Sequence, residues 1–243
     1  LIPFLARTQM PIPLRGTSNH FRRAALEAVG GWDPYNVTED ADLGLRLYAH
    51  GYRTGTLRSA TVETAPTTLD VWTRQRTRWL KGWAQTWLVT MRKPVQTYQA
   101  LGFSGFAVFQ LMIAGMLVSA VAHPLMFVFI GLTLFQLASS STAVSSLYSA
   151  LMWTDLFNIF GSYLTFIAMG WHGFTSLERS RLKGRWILLT PAYWFMISVA
   201  GWRALAQLVS NTHLWEKTPH AAAPEWMALA KPADTIGNTQ GLE

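Results

Sequence analysis

Three polar clusters in the first third of the sequence contain the residues that could do chemistry. They are Gly16-Thr17-Ser18, Thr38-Glu39-Asp40 and Gln75-x-x-Arg78-Trp79. An aspartate can take a proton as a general base, and an arginine presents a planar fork of donors that suits phosphate oxygens. A tryptophan ring gives an apolar face on which a sugar can pack, and a glutamine can both donate to and accept from hydroxyls. The third cluster therefore has the composition of a site for diphosphate and sugar.

The two carboxylates of the second cluster also have a structural explanation. Thr38-Glu39-Asp40 stands where a loop meets a predicted helix, and there a threonine can cap the helix while carboxylates interact favourably with its dipole. Asp40-Ala41-Asp42 has the D-x-D sequence pattern of a metal-binding site. However, two aspartates at a helix start are poorly placed to converge on one ion. No metal ligand is predicted in this chain.

The third cluster lies in a long predicted helix with two unlike faces. Trp79, Trp83 and Trp87 follow one another at a spacing of four residues, and Arg74, Arg78, Lys81, Gln85 and Arg92 share another side. Tryptophan on one side and basic residues on another are typical of a helix that lies in a membrane interface. This explanation competes with ligand binding.

The elements that position these clusters indicate mixed α/β structure. A short helix is predicted from Arg22 to Val29, because Gly30-Gly31 follows it, and a second helix in DADLGLRLYAHG ends at Gly51. The alternating stretch YRTGTLRSATVET, residues 52–64, predicts a strand. The long helix follows Pro66 and ends before Pro94.

The rest of the chain is strongly apolar. Residues 94–177 contain one charged residue, Asp155. Four apolar stretches, 101–122, 124–138, 150–171 and 187–209, predict three or four membrane spans, since a spanning helix needs roughly 20 residues. The basic run 178–185 favours the cytoplasmic side, which disagrees with four crossings from a cytoplasmic first third. The charged side chains of Asp155 and Arg203 could reach the membrane surface by snorkelling, pair with each other, or line a water-filled polar path.

Composition excludes some classes of function. The chain has no cysteine, which excludes disulfides and thiolate chemistry. Its net charge is +7, but the basic residues flank apolar segments, where they would meet lipid headgroups. The lipid bilayer is therefore the expected partner, and nucleic acid is not.

The order of the clusters, with several spans after them, resembles the processive membrane glycosyltransferases of family 2. The stretches VGGWDPYNVTEDADLGLRLYAHGYRT and TRQRTRWLKGWAQTWLVTMRKP are similar to bacterial exopolysaccharide and cellulose synthases. The resemblance implies part of a GT-A type α/β domain in residues 1–68 and an amphipathic interface helix in 69–94. It further implies an α-helical transmembrane region in 95–210 and a cytoplasmic tail in 211–243.

The resemblance also implies a role for each matching residue. Asp40, with Thr38 and Glu39 beside it, would be the general base that deprotonates the acceptor hydroxyl. Trp79 would stack the acceptor sugar, with Gln75 and Arg78 lining the acceptor and diphosphate side. Gly16, Thr17 and Ser18 would line the acceptor entrance. Lys217 and Thr218 in WEKTPH stand where related synthases carry a gating segment.

The implied activity is inverting transfer of a hexose from a nucleotide sugar, expected to be a UDP-sugar, to a growing polysaccharide. It implies a multi-pass protein of the bacterial inner membrane with a cytoplasmic transferase part, coupled export and a candidate export subunit. Family members hold Mg²⁺ or Mn²⁺ through a D-x-D upstream of G-T-S. This chain lacks that motif, so we expect it to be inactive alone.

Two other classes of function remain open. The chain could be a non-catalytic membrane scaffold or receptor built on a degenerate or truncated transferase domain. A transporter would explain the spans but would leave the three polar clusters without a role.

Overall fold

The computed structural model describes residues 2–14, 16–57, 65–139, 146–173, 189–212, 214 and 216. These residues form helices and irregular connections and contain no strand. The helices are α1 (Ile2–Arg7), α2 (Arg23–Ala28), α3 (Glu39–Ala49), α4 (Leu69–Thr90), α5 (Pro94–Phe109), a π-helix (Gln110–Gly115), α6 (Met116–Ser139), α7 (Ser146–Gly173) and α8 (Thr190–Ser210).

The predicted α/β GT-A portion is therefore wrong for the part of the chain that the structure describes. Residues 52–57 of the predicted strand have no regular secondary structure, and residues 58–64 lie outside the described residues. Alternating side chains favour a strand only when a second strand accepts and donates the backbone hydrogen bonds. No such partner occurs among the described residues.

The two short helices predicted around the first clusters are confirmed. Gly30 has a φ of 80° and Gly51 a φ of 83°, a region that favours glycine and ends a helix. Buried apolar side chains pack α2 against α3: Ala25, Val29, Leu43 and Leu47. This packing fixes the direction in which α3 begins, at Glu39.

Helix α4 is the central element, packed against both α3 and α8. It starts with a cap in which Thr68 Oγ1 accepts a hydrogen bond from the Val71 N–H at 3.3 Å, and it ends at Thr90. Pro94 begins α5 rather than ending α4.

The prediction of one basic face on α4 is wrong. Lys81 has no exposed surface and Gln85 is 9% exposed, because α8 covers this side of the helix. The indoles of Trp83 and Trp87 also pack against protein, the apolar cluster of Leu45, Leu101, Phe109 and Ile113.

The first two predicted apolar stretches form one continuous helical path. Helix α5 bends at Gly102, where φ is 67°, and α6 continues through Pro124 without a break. Of the residues that the structure describes, Pro94–Gln136 is the one helical segment long and apolar enough to cross a membrane, by length and composition. Helices α7 and α8 cover most of the other two predicted stretches.

For the two charged residues of the third and fourth apolar stretches, Asp155 and Arg203, the sequence predicts snorkelling, mutual pairing or the lining of a polar path. Arg203 forms an ion pair with Glu216, just after α8. The side chain of Asp155 and the basic run 178–185 lie outside what the structure describes.

Candidate acceptor site

Asp40 lies in the first turn of α3, partly buried, with its two oxygens facing different neighbours. Its Oδ1 accepts a hydrogen bond from Trp32 Nε1 at 3.0 Å. A Cβ placed on Gly16 would lie 3.1 Å from Oδ2. The G-T-S loop and the T-E-D segment, separated in sequence, therefore meet at this carboxylate.

Thr38 connects the T-E-D segment to helix α4. A Cβ on Gly82 would lie 2.3 Å from Thr38 Oγ1 and 2.5 Å from its Cγ2, so only glycine fits there. The hydroxyl of Thr38 makes no capping bond to α3. Asn36 strengthens the same junction, because its Oδ1 accepts from the Thr38 N–H at 2.9 Å and its Nδ2 donates to Thr86 Oγ1 at 2.8 Å.

Arg78 lies on α4 one turn before Gly82 and interacts electrostatically with Glu39. Burial lowers the pKa of Arg78, and the negative charge of Glu39 opposes that change. An arginine side chain keeps its proton in proteins at neutral pH, so Arg78 is a cation there. Its Nε is buried and has no hydrogen-bond partner among the described residues.

The indole of Trp79 is covered on one face by a neighbouring guanidinium. The Arg76 Cζ lies 4.4 Å from the Trp79 ring centroid and 5.6 Å from that of Trp72. The Arg76 Nε is likewise buried without a partner in the described chain. The buried, unpaired Nε donors of Arg76 and Arg78 are each suited to an oxyanion ligand, since an unmade buried hydrogen bond costs about 1–3 kcal/mol.

Lys81 and Gln85 clamp the end of α8 onto α4. Lys81 Nζ donates to the carbonyls of Asn211 at 2.7 Å and Leu214 at 2.9 Å, and Gln85 Nε2 donates to the carbonyl of Thr212 at 2.8 Å. Burial lowers the pKa of Lys81, and Glu216 opposes the change. These bonds fix the segment that follows α8, so Lys81 has a structural partner and is not an open anion ligand.

The Asp40-Ala41-Asp42 sequence does not form a metal site. The Asp42 Oδ2 accepts from Arg46 Nε at 2.7 Å, and Arg46 also donates to the carbonyls of Val29 at 2.6 Å and Gly31 at 2.7 Å. Asp42 thus serves to anchor the Gly30-Gly31 turn. Among the described residues, no three His, Asp or Glu side chains are grouped so that they could hold an ion. The Mg²⁺ or Mn²⁺ that the resemblance implies, held through a D-x-D upstream of G-T-S, stays a prediction.

Not every predicted site residue joins this cluster. Gln75 is partly buried on α4, one turn before Trp79. Thr17 and Ser18 are exposed beside Gly16. The candidate gating residues Lys217 and Thr218 lie outside the described residues.

Two residues of the site carry no role in the sequence-based prediction: Trp32 and Gly82. Gly82 is the easier of the two to predict. A glycine within a helix costs stability, so its position one turn after Arg78 indicates that another segment packs closely against the helix there. Trp32 has no local signal, since its hydrogen bond to Asp40 depends on how the loop before α3 folds.

Comparison with known proteins places the chain in a family. Residues 1–202 match the family described as glycosyl transferase family group 2. A segment of 68 residues, 28% of this chain, is 44% identical to a probable glycosyltransferase, YdaM, of Bacillus subtilis (strain 168). Segments of 77 residues, 31% of this chain, are 40% and 36% identical to the beta-monoglucosyldiacylglycerol synthases of Synechocystis sp. (strain PCC 6803) and Trichormus variabilis.

Each of these matches covers 16% of the relative's length. No solved structure matches the chain significantly. The family match spans most of the sequence, including every residue of the cluster around Asp40 and Arg78. The chain therefore belongs to glycosyl transferase family group 2.

Proposed function

We propose that this protein transfers a hexose from a nucleotide sugar to a hydroxyl of an acceptor held at the membrane surface, with inversion, and that Asp40 is the general base. The observation that carries the proposal is the meeting of three clusters: Gly16 approaches Asp40, Thr38 packs on Gly82, and Glu39 faces Arg78. A scaffold has no need for this convergence.

The chemistry assigned to the chain needs few groups. The acceptor O–H gives its proton to Asp40, and the acceptor oxygen forms a bond to the anomeric carbon. The bond from that carbon to the diphosphate oxygen breaks, and the nucleoside diphosphate leaves with the electron pair. Arg78 supplies cationic donors to the leaving group.

The acceptor class is the finer part of the proposal. The relatives named as beta-monoglucosyldiacylglycerol synthases favour a glycerolipid hydroxyl. The order of the motifs, which resembles that of processive synthases, favours a growing polysaccharide and coupled export instead. We put the glycerolipid first because it agrees with curated relatives, and keep the polysaccharide as the second candidate.

The test uses the full-length protein in vesicles with labelled UDP-sugars, offered either diacylglycerol or an oligosaccharide primer. Label in a lipid product supports the first acceptor, and label in a lengthening polymer supports the second. Trp79→Ala is expected to raise the acceptor KM about tenfold or more, because stacking on an indole is lost. Transfer to neither acceptor with any hexose donor would point to the scaffold.

A further inference from the structure

The corner between α4 and α5 has the surface of a membrane-inserting element. Apolar side chains are exposed on both arms: Leu88 (46%) and Val89 (51%) on α4, and Val95 (66%) and Tyr98 (45%) on α5. Arg92 and Lys93 lie between them. The candidate spanning segment Pro94–Gln136 begins at this corner. Apolar side chains flanked by cations are typical of chain lying at the level of the headgroups.

Next to this corner lies an open cleft of about 570 Å³, lined by residues of α3, of the end of α4 and of the start of α5. Part of its wall is apolar and comes from α3 and α5, with Leu45, Ala49 and Leu101, and its rim carries Arg92, Lys93 and Gln96. The cleft thus has an apolar part in its wall and exposed basic residues among its lining, and the candidate spanning segment forms one of its sides.

Arg92 and Lys93 make the cleft positively charged. The only carboxylate among its described lining residues, that of Asp42, already pairs with Arg46. Asp42 bonds to Arg46 at 2.7 Å. Arg92 and Lys93 are exposed, and their side chains form no ion pair or hydrogen bond within the residues that the structure describes. Two unpaired cations at the headgroup level attract anionic lipids.

We propose that this cleft binds the headgroup of an anionic phospholipid of the bilayer. The charged rim suits a phosphate, and the apolar wall beside α5 suits the start of an acyl chain, which a free phosphate ion does not have. The site is separate from Asp40 and Arg78, and its assignment does not depend on the transferase activity.

The test compares lipid retention by the full chain in nanodiscs of phosphatidylcholine containing phosphatidylglycerol. After extraction into detergent, native mass spectrometry measures phosphatidylglycerol bound per protein for wild type and R92Q/K93Q. The matched control is R22Q/R23Q, which removes an adjacent pair of exposed arginines at the start of α2. A basic residue near the membrane surface contributes about 1 kcal/mol, so the loss of two predicts about 30-fold weaker retention.

The expected result is retention by wild type and R22Q/R23Q and loss by R92Q/K93Q. Equal retention by all three proteins overturns the proposal. Millimolar inorganic phosphate added before extraction distinguishes the sources: release of the lipid identifies a site for soluble anions and also overturns the proposal. Thermal unfolding of each variant, with the single changes R92Q and K93Q as further variants, separates lost binding from lost folding. Because the experiment measures bound lipid, its result does not depend on whether sugar transfer is found.

Discussion

Gly82 of α4 lies so close to Thr38 of the T-E-D segment that any side chain at position 82 would overlap the threonine hydroxyl. This contact sets how near the carboxylates at the start of α3 come to Arg78. The proposed acceptor site therefore depends on a residue that has no functional group.

Gly82→Ala is expected to push α3 away from α4 and to lower both stability and sugar transfer. Overpacking costs typically 1–3 kcal/mol, against which the better helix propensity of alanine returns about 1 kcal/mol. Thermal unfolding and the transfer rate check the change. Gly131→Ala is the matched control, because a Cβ there meets nothing within 4 Å, and an equal loss in both variants would contradict the contact.

Trp32→Phe is expected to lower kcat about tenfold with little change in the acceptor KM. The substitution keeps an aromatic ring but removes the N–H that holds Asp40 Oδ1, and a base held in the wrong orientation transfers protons poorly. Steady-state kinetics with the full-length protein test it. Trp153→Phe, at an exposed position on α7, is the control, and an unchanged kcat for Trp32→Phe would show that the hydrogen bond has no role in catalysis.

The helical parts of this site could be predicted because their signals are local. Glycines after α2 and α3 end those helices, and the spacing of polar residues placed Gln75, Arg78 and Trp79 on one helix. The strand predicted for residues 52–64 is absent from residues 52–57, because a strand forms only when a second strand, often distant in the sequence, pairs with it. The burial of Lys81 could not be foreseen either, because its side chain reaches carbonyls more than a hundred residues away, and spacing on α4 alone made it a surface cation.

Lys81→Met is expected to destabilise the protein by about 1–3 kcal/mol, because the carbonyl of Leu214 loses its donor and that of Asn211 keeps only the Leu214 N–H. The cost should depend on pH. Burial lowers the pKa of Lys81 in the folded state, so between that pKa and the ordinary value of about 10.4 the unfolded state binds more protons. The stability that Lys81 confers therefore rises with pH across this window.

The measurement is the melting temperature of wild type and Lys81→Met in detergent from pH 7 to pH 10. The advantage of wild type should widen toward the alkaline end. Lys93→Met, which changes an exposed lysine, should show no such trend. A difference between wild type and Lys81→Met that stays constant or narrows with pH would contradict the assigned burial.

The role of Asp40 is tested most directly by the rate of sugar transfer in the full-length protein carrying Asp40→Asn. Asparagine keeps the shape of the side chain and an oxygen for Trp32, but it cannot accept the acceptor's proton. Asp70→Asn, at an exposed carboxylate that pairs with Arg74, serves as the matched control. We expect kcat to fall about 10²- to 10⁴-fold for Asp40→Asn and to stay near normal for Asp70→Asn. A near-normal rate for Asp40→Asn would show that Asp40 is not the general base.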